Sequence, residues 1–163
     1  MNSHGVAALQ QLATEMGRAD SAASSHWKLY SKNFSLEDSG LATGIQGFGE
    51  NRAYYSSVAR LFHSAMQRRW RNPAKSNEVF PFFDAKMEAI CKAKNKAYSL
   101  DALRQTLTLA TLDAKGVLGR NRSALVIGDG FANMSSLLIE SGVAQKVIVV
   151  NLNTTLYVDI LNL

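Results

Sequence analysis

The chain reads as an α/β protein: a mainly helical amino-terminal region, residues 1–122, followed by the opening of a mostly parallel sheet, residues 123–163. Two observations predict this. Apolar residues recur at helical spacing in several blocks before residue 120, and then two short apolar runs, Leu125–Ile127 and Val147–Val150, flank a glycine turn and a further helical stretch. A third observation concerns the end of the chain. Leu163 follows the second run by only thirteen residues, so the sheet is expected to be incomplete and the chain to be an amino-terminal fragment.

The elements follow in order. Val6, Leu9, Leu12, Ala13 and Met16 form one stripe of a helix over residues 6–17. Residues 18–25 are small and polar and predict a loop. The aromatic block His26–Phe34 is expected to dock on the main body, and Gly40, Gly44, Gly47 and Gly49 punctuate the connection after it. From Arg52 to Arg71, Tyr55, Val58, Ala59, Phe62, Ala65 and Met66 share one face of a helix, with Arg60, Gln67, Arg68 and Arg69 largely elsewhere on the wheel. Asn72-Pro73 ends that helix. A helix over Phe82–Ala97 turns Phe83, Met87, Ile90 and Cys91 inward. Ser99 predicts an N-cap for a helix running to about Val117, with Leu103, Leu107, Ala110 and Ala114 in register.

Composition bounds the function classes. Residues 52–122 hold fourteen Lys and Arg against five Asp and Glu within a net charge of +5. Such a middle segment suits nucleic acid, anionic lipid or a phosphorylated sugar. Its arginines are also what a solvated, snorkelling helix face carries, and that reading predicts no nucleic-acid partner. The single cysteine, Cys91, excludes an internal disulfide and predicts a core thiol. His4, His26 and His63 form no ligand pattern, so no metal site is expected. No apolar run approaches the ~20 residues of a transmembrane helix, and no signal peptide is evident, so a cytoplasmic location is expected.

The chemistry is concentrated after residue 123. Leu125-Val-Ile-Gly128 shows no alternation and predicts a strand covered on both faces. Gly128 and Gly130 permit a sharp turn that a ligand can approach closely, with Asp129 between them and Phe131 opening the next helix. Met134, Leu137, Leu138 and Ser141 are expected to face the sheet, and free N–H groups at the helix start to favour a carboxylate or phosphate. Asn151 closes the second strand, where such folds meet the ribose of a nucleotide or nucleoside. A dinucleotide loop would want glycine where Asn133 stands. Gly128-Asp-Gly with Asn151-Leu-Asn153 also suggests thiamine diphosphate, but at shorter spacing and in a smaller chain than those enzymes use. S-adenosylmethionine is the third candidate.

Val126-Ile-Gly-Asp-Gly-Phe-Ala-Asn-Met-Ser-Ser-Leu-Leu138 and Val149-Val-Asn-Leu-Asn-Thr-Thr-Leu-Tyr-Val-Asp159 resemble the sugar O-methyltransferase family. There a Gly-x-Gly-aromatic turn precedes a strand ending in Asn-Leu or Asp-Leu and a Thr-Leu-x-Val-Asp helix start. The resemblance covers residues 123–163; Trp27 and the helical part fit only in character. It implies a Rossmann-like domain and methyl transfer from S-adenosylmethionine to a hydroxyl of a sugar or glycan. It also implies cofactor contacts at Gly128, Asp129, Gly130, Phe131 and Asn151. Asn151 stands where many methyltransferases carry an acid, which implies weaker ribose binding. No residue is assigned as the general base, and the fragment alone is expected to be inactive. The rival expectation is a non-catalytic helical binding or assembly module with a vestigial α/β tail.

Overall fold

The computed structural model describes residues 57–161 and 163 continuously, together with Ala7, Gln11, Leu12, Thr14, Ser35, Leu36, Ala42 and Thr43. Ala7, Gln11, Leu12 and Thr14 are helical, within the predicted first helix. The loop 18–25, the aromatic block 26–34, Tyr55 and the glycines from Gly40 to Gly49 lie outside the described residues. Ser35–Leu36 (β1) and Ala42–Thr43 (β2) pair antiparallel, a short ladder that no periodicity in so few residues announces.

Helix α1, Ser57–Arg71, runs into a 3₁₀ turn, Asn72–Ser76, whose start is set by Pro73. Helix α2 spans Phe80–Ala93 and begins two residues before the predicted Phe82, because Pro81 sits in the first turn, where its missing N–H costs nothing. It ends at Ala93, four residues short of the expected end. Helix α3, Leu100–Ala114, starts at Ser99, whose hydroxyl accepts from the Ala102 amide at 3.1 Å. It stops before Gly116, whose φ of +67° leaves the helical region. Strand β3, Arg122–Ile127, leads through the turn to helix α4, Asn133–Glu140, then to strand β4, Ala144–Val150, and helix α5, Asn153–Leu161. Helix α4 begins two residues after Phe131, which is buried in the turn itself. Strand β4 begins three residues before the predicted Val147. In α5 Thr155, Tyr157, Val158 and Asp159 are buried and Leu156 and Ile160 half-buried, while Leu163, beyond its end, is exposed.

Strands β3 and β4 are parallel neighbours, with Leu125 opposite Ile148 and Ile127 opposite Val150. With the helices around it, this two-stranded sheet makes the described part α/β. The Gly128 amide extends the ladder to the Val150 carbonyl at 2.9 Å. Ala124, Val126 and Val147 turn toward α4 and the core, while Leu125, Ile127, Ile148 and Val150 are exposed. Among the described residues the sheet is therefore covered on one face, against the expectation of two. An unalternating apolar run states that both faces are apolar; it does not supply the second layer.

The core lies between α2, α3 and α4. Phe80, Phe83, Met87, Ile90 and Cys91 of α2 meet Ala102, Leu109 and Ala110 of α3 and Leu137 and Leu138 of α4. Helices on both sides of residue 122 thus share one core. Met134 packs at its edge and Ser141 is buried, as their spacing predicts; Ala114 is exposed.

Cys91 sits in this core, and burial pushes its thiol up from 9.0 to about 11, with Lys94 and Arg71 pulling weakly the other way. The native state then holds a proton that the unfolded chain has released across that window. The thiol's contribution to stability is complete below pH 9 and is lost as pH rises toward about 11. Native Cys91 is expected to alkylate at pH 8 at least about a hundredfold more slowly than in denaturant, since two units of pKa alone reduce the thiolate that much. Iodoacetamide labelling followed by mass spectrometry checks this; equal rates would place the thiol at the surface.

In helix α1 the apolar face is not the covered one: Val58, Phe62 and Met66, which the spacing groups together, are exposed, and His63, Gln67 and Arg71 are half-buried. The reason is Arg71. Its guanidinium is bound by Asp84 and Glu88 of α2 and lies 4.4 Å from the Tyr98 ring centroid. Burial works against the Arg71 charge, but the bonds to and charge of Asp84 outweigh it and hold its pKa above the ordinary value. The charged end fixes which side of the helix faces the body.

Candidate functional site

The turn between β3 and α4 is built from backbone conformations that few residues adopt. Gly128 and Gly130 have φ of +76° and +83°. A Cβ added at either would meet no heavy atom beyond its chain neighbours within 4 Å. The glycines are therefore required by conformation rather than by crowding within the chain, and the space beside them is open. Ala132 also has a left-handed φ, +53°, which costs an alanine ~1–2 kcal/mol. Its peptide groups are held from two sides: the amide donates to Asp159 Oδ1 at 2.9 Å, and the carbonyl accepts from Lys94 Nζ at 3.3 Å.

Asp129 is buried between the two glycines. One carboxylate oxygen accepts from the Met134 amide at 2.9 Å, the other from the Ser135 amide at 2.7 Å and the Ser135 hydroxyl at 2.6 Å. It caps α4 from within the turn, using the preference of a helix start for negative charge. This corrects one expectation: the amides of Ala132, Met134 and Ser135 are not free for a carboxylate or phosphate, because Asp159 and Asp129 occupy them. The spacing of Asp129 from the helix, longer than that of an ordinary cap, hides this role in the sequence.

Asn151 lies at the end of β4, as predicted, with its side chain engaged inside the protein. Its amide donates to Asp159 Oδ2 at 2.8 Å, and its carbonyl oxygen accepts from the Leu152 amide at 2.9 Å. Asp159 thus bridges the two strand ends, holding Ala132 with one oxygen and Asn151 with the other. Burial pushes the Asp159 carboxyl above the usual carboxylate range, and its bonds from Asn151 and Ala132 offset part of the shift. Phe131 is buried beneath the turn, and its carbonyl accepts from Lys94 Nζ at 3.2 Å.

Two residues of this arrangement carry no local signal. Asp159 belongs to the Thr-Leu-x-Val-Asp string, but its partners lie 8 and 27 positions away. Lys94 comes from the turn after α2 and also donates to the Ser136 hydroxyl at 3.0 Å. Burial lowers its pKa below the ordinary lysine value, while Asp129, Cys91 and Asp159 pull it back up. Two carboxyl groups and one ammonium therefore gather around the glycine turn. The predicted residues Gly128, Asp129, Gly130 and Phe131 are contiguous here, and Asn151 is tied to them through Asp159. Among the described residues, no group of three or more His, Cys, Asp or Glu could hold a metal ion. No described helix is long and apolar enough to cross a membrane. Comparison of the chain with protein-family models, with curated proteins and with solved structures gives no match.

Proposed function

We propose that the glycine turn is the cofactor loop of a Rossmann-like, S-adenosylmethionine-dependent methyltransferase, acting on a hydroxyl of a sugar or glycan. The observation that carries the cofactor class is the charge balance at the turn. A pyrophosphate needs free backbone donors at a helix start, and Asp129 has already taken those of Met134 and Ser135. Asp129 and Asp159 gathered around the single ammonium of Lys94 give the turn a negative local field that favours a cationic ligand without direct contact, and S-adenosylmethionine carries a sulfonium and an ammonium. The open space beside Gly128 and Gly130 fits such a ligand lying along their backbone. The acceptor class rests on the resemblance of residues 126–138 and 149–159.

When bound, the cofactor supplies an electrophilic methyl group on a positively charged sulfur. The contribution of this chain is placement. Asp129 locks the turn to α4, Lys94 and Asp159 hold Ala132 in its left-handed conformation, and Asp159 fixes the rotamer of Asn151 at the ribose position. Rigid alignment of donor and acceptor is the main lever in such a displacement.

Isothermal titration tests the reading, with S-adenosylmethionine and NAD as competing ligands. Binding of the first and not the second is expected; the reverse would remove the assignment. Gly130→Val is expected to abolish binding, with Gly116→Val as the control. Both positions have positive φ and open surroundings, so both variants should lose a similar ~1–2 kcal/mol of stability. Only the Gly130 variant places a branched side chain where the ligand approaches. Equal affinity for the two variants would place the ligand elsewhere.

A further inference from the structure

Helix α1 presents its apolar side to solvent. At 100° per residue, Val58, Leu61, Phe62, Met66 and Trp70 fall within one half of the helix, and all are between 50 and 76% exposed. The opposite side is committed: His63, Gln67 and Arg71 are half-buried, and Arg71 is fastened to Asp84 and Glu88. The helix therefore cannot roll its apolar side inward without breaking that anchor. The patch is about 20 Å long, from the rise of fifteen helical residues, and far exceeds the scattered apolar residues of an ordinary surface.

Charge decides what covers it. The segment from Ser57 to Asn77 holds Arg60, Arg68, Arg69, Arg71 and Lys75 and no acidic residue. Arg68 is exposed at the border of the apolar stripe and Arg69 is exposed within it. A second copy laid on this helix would bring Arg68 and Arg69 toward their counterparts, with no carboxylate in the helix itself to offset them. An anionic bilayer surface meets both features at once. The apolar side chains enter the headgroup–acyl boundary, and the arginines reach the lipid phosphates. Arg69 lies within the apolar arc, and its alkyl stem can follow the stripe while the guanidinium snorkels upward. Trp70, exposed at the edge of the arc, is the residue type that favours this boundary. We propose that α1 docks the protein, lying flat, on an anionic lipid surface through Val58, Leu61, Phe62, Met66 and Trp70.

Co-sedimentation of the 163-residue chain with large vesicles tests this, comparing phosphatidylcholine alone with phosphatidylcholine containing about one-third phosphatidylglycerol. The expected result is binding to the anionic vesicles that weakens as salt is raised, with little binding to the neutral ones. Arg68→Gln with Arg69→Gln should lower the partition coefficient about twenty-five-fold, about fivefold per charge. Phe62→Asp with Met66→Asp should abolish binding and keep the wild-type circular dichroism and melting temperature, because both side chains are exposed in the fold. Absence of a preference for anionic vesicles overturns the proposal, as does binding that survives Phe62→Asp with Met66→Asp. A vesicle-free dimer in sedimentation velocity that the same pair dissociates would assign the face to a second copy instead and also overturn it. None of these readouts involves S-adenosylmethionine, so the outcome is independent of the cofactor assignment.

Discussion

Asp84→Ala is expected to destabilise the protein by ~3–5 kcal/mol, a large fraction of the ~5–15 kcal/mol that holds an ordinary domain folded. Asp84 is buried on α2 and serves two elements that meet there. One carboxylate oxygen accepts from the Arg71 guanidinium, including its Nε at 3.0 Å, and the other accepts from the Tyr98 hydroxyl at 2.7 Å. Truncation leaves a guanidinium whose side chain is 12% exposed facing only the partly solvated Glu88, with a buried phenol beside it. The cost comes mainly from the abandoned charge rather than from the lost attraction. A double replacement therefore separates the two: Asp84→Ala with Arg71→Leu should be less destabilising than Asp84→Ala alone, because it removes the orphaned cation as well. Urea denaturation of the four proteins measures the cycle. A loss below about 1 kcal/mol in the single variant would mean that water screens the pair as it does at a surface.

The same ion pair shows where sequence reading stops. Helical spacing correctly groups Val58, Phe62 and Met66 on one side of α1, and Phe83, Met87, Ile90 and Cys91 on one side of α2. For α2 the apolar side is the buried one; for α1 it is not. Periodicity states which residues share a face, and only the tertiary partner states which face is covered. That partner is Asp84, thirteen residues from Arg71, and nothing local links the two. The cluster Gln67-Arg-Arg-Trp-Arg71 accordingly divides: Arg71 turns inward to the ion pair, while Arg68, Arg69 and Trp70 remain exposed.

Local signals fare better where the physics is local. Ser99 caps α3 because a hydroxyl three residues before a free amide reaches it without help from the rest of the fold. The strand–turn–helix–strand order after residue 122 is legible for a similar reason: two apolar runs and two glycines specify a turn that few other residues can make. Its supports are not legible. Lys94 reaches Phe131 and Ala132 from 37 and 38 positions away, and Asp159 reaches Ala132 from 27. The position of the turn is written in the turn; its rigidity is supplied by α2 and α5.

Asp129→Ala is expected to cost about 3 kcal/mol and to remove binding of S-adenosylmethionine. The carboxylate closes three hydrogen bonds to Met134 and Ser135, two of them on amides that α4 cannot satisfy itself. Loss of a helix cap costs ~0.5–2 kcal/mol, and leaving a buried amide without its charged acceptor adds ~1–3 kcal/mol. The conservative Asp129→Asn variant discriminates between two roles for this residue. Asparagine keeps one acceptor and turns an NH₂ group toward a donor, so it should recover less than half of the lost stability. If Asp129 acts by fastening the turn to α4, affinity for S-adenosylmethionine should fall in step with stability across wild type, Asn and Ala. If the carboxylate instead touches the cofactor's cationic groups, Asp129→Asn should lose most of its affinity even at temperatures where the variant is fully folded. Thermal denaturation and isothermal titration on the same three proteins decide it. The structure favours the first outcome, because each carboxylate oxygen already holds a donor from α4 and burial leaves little room for a ligand atom to compete.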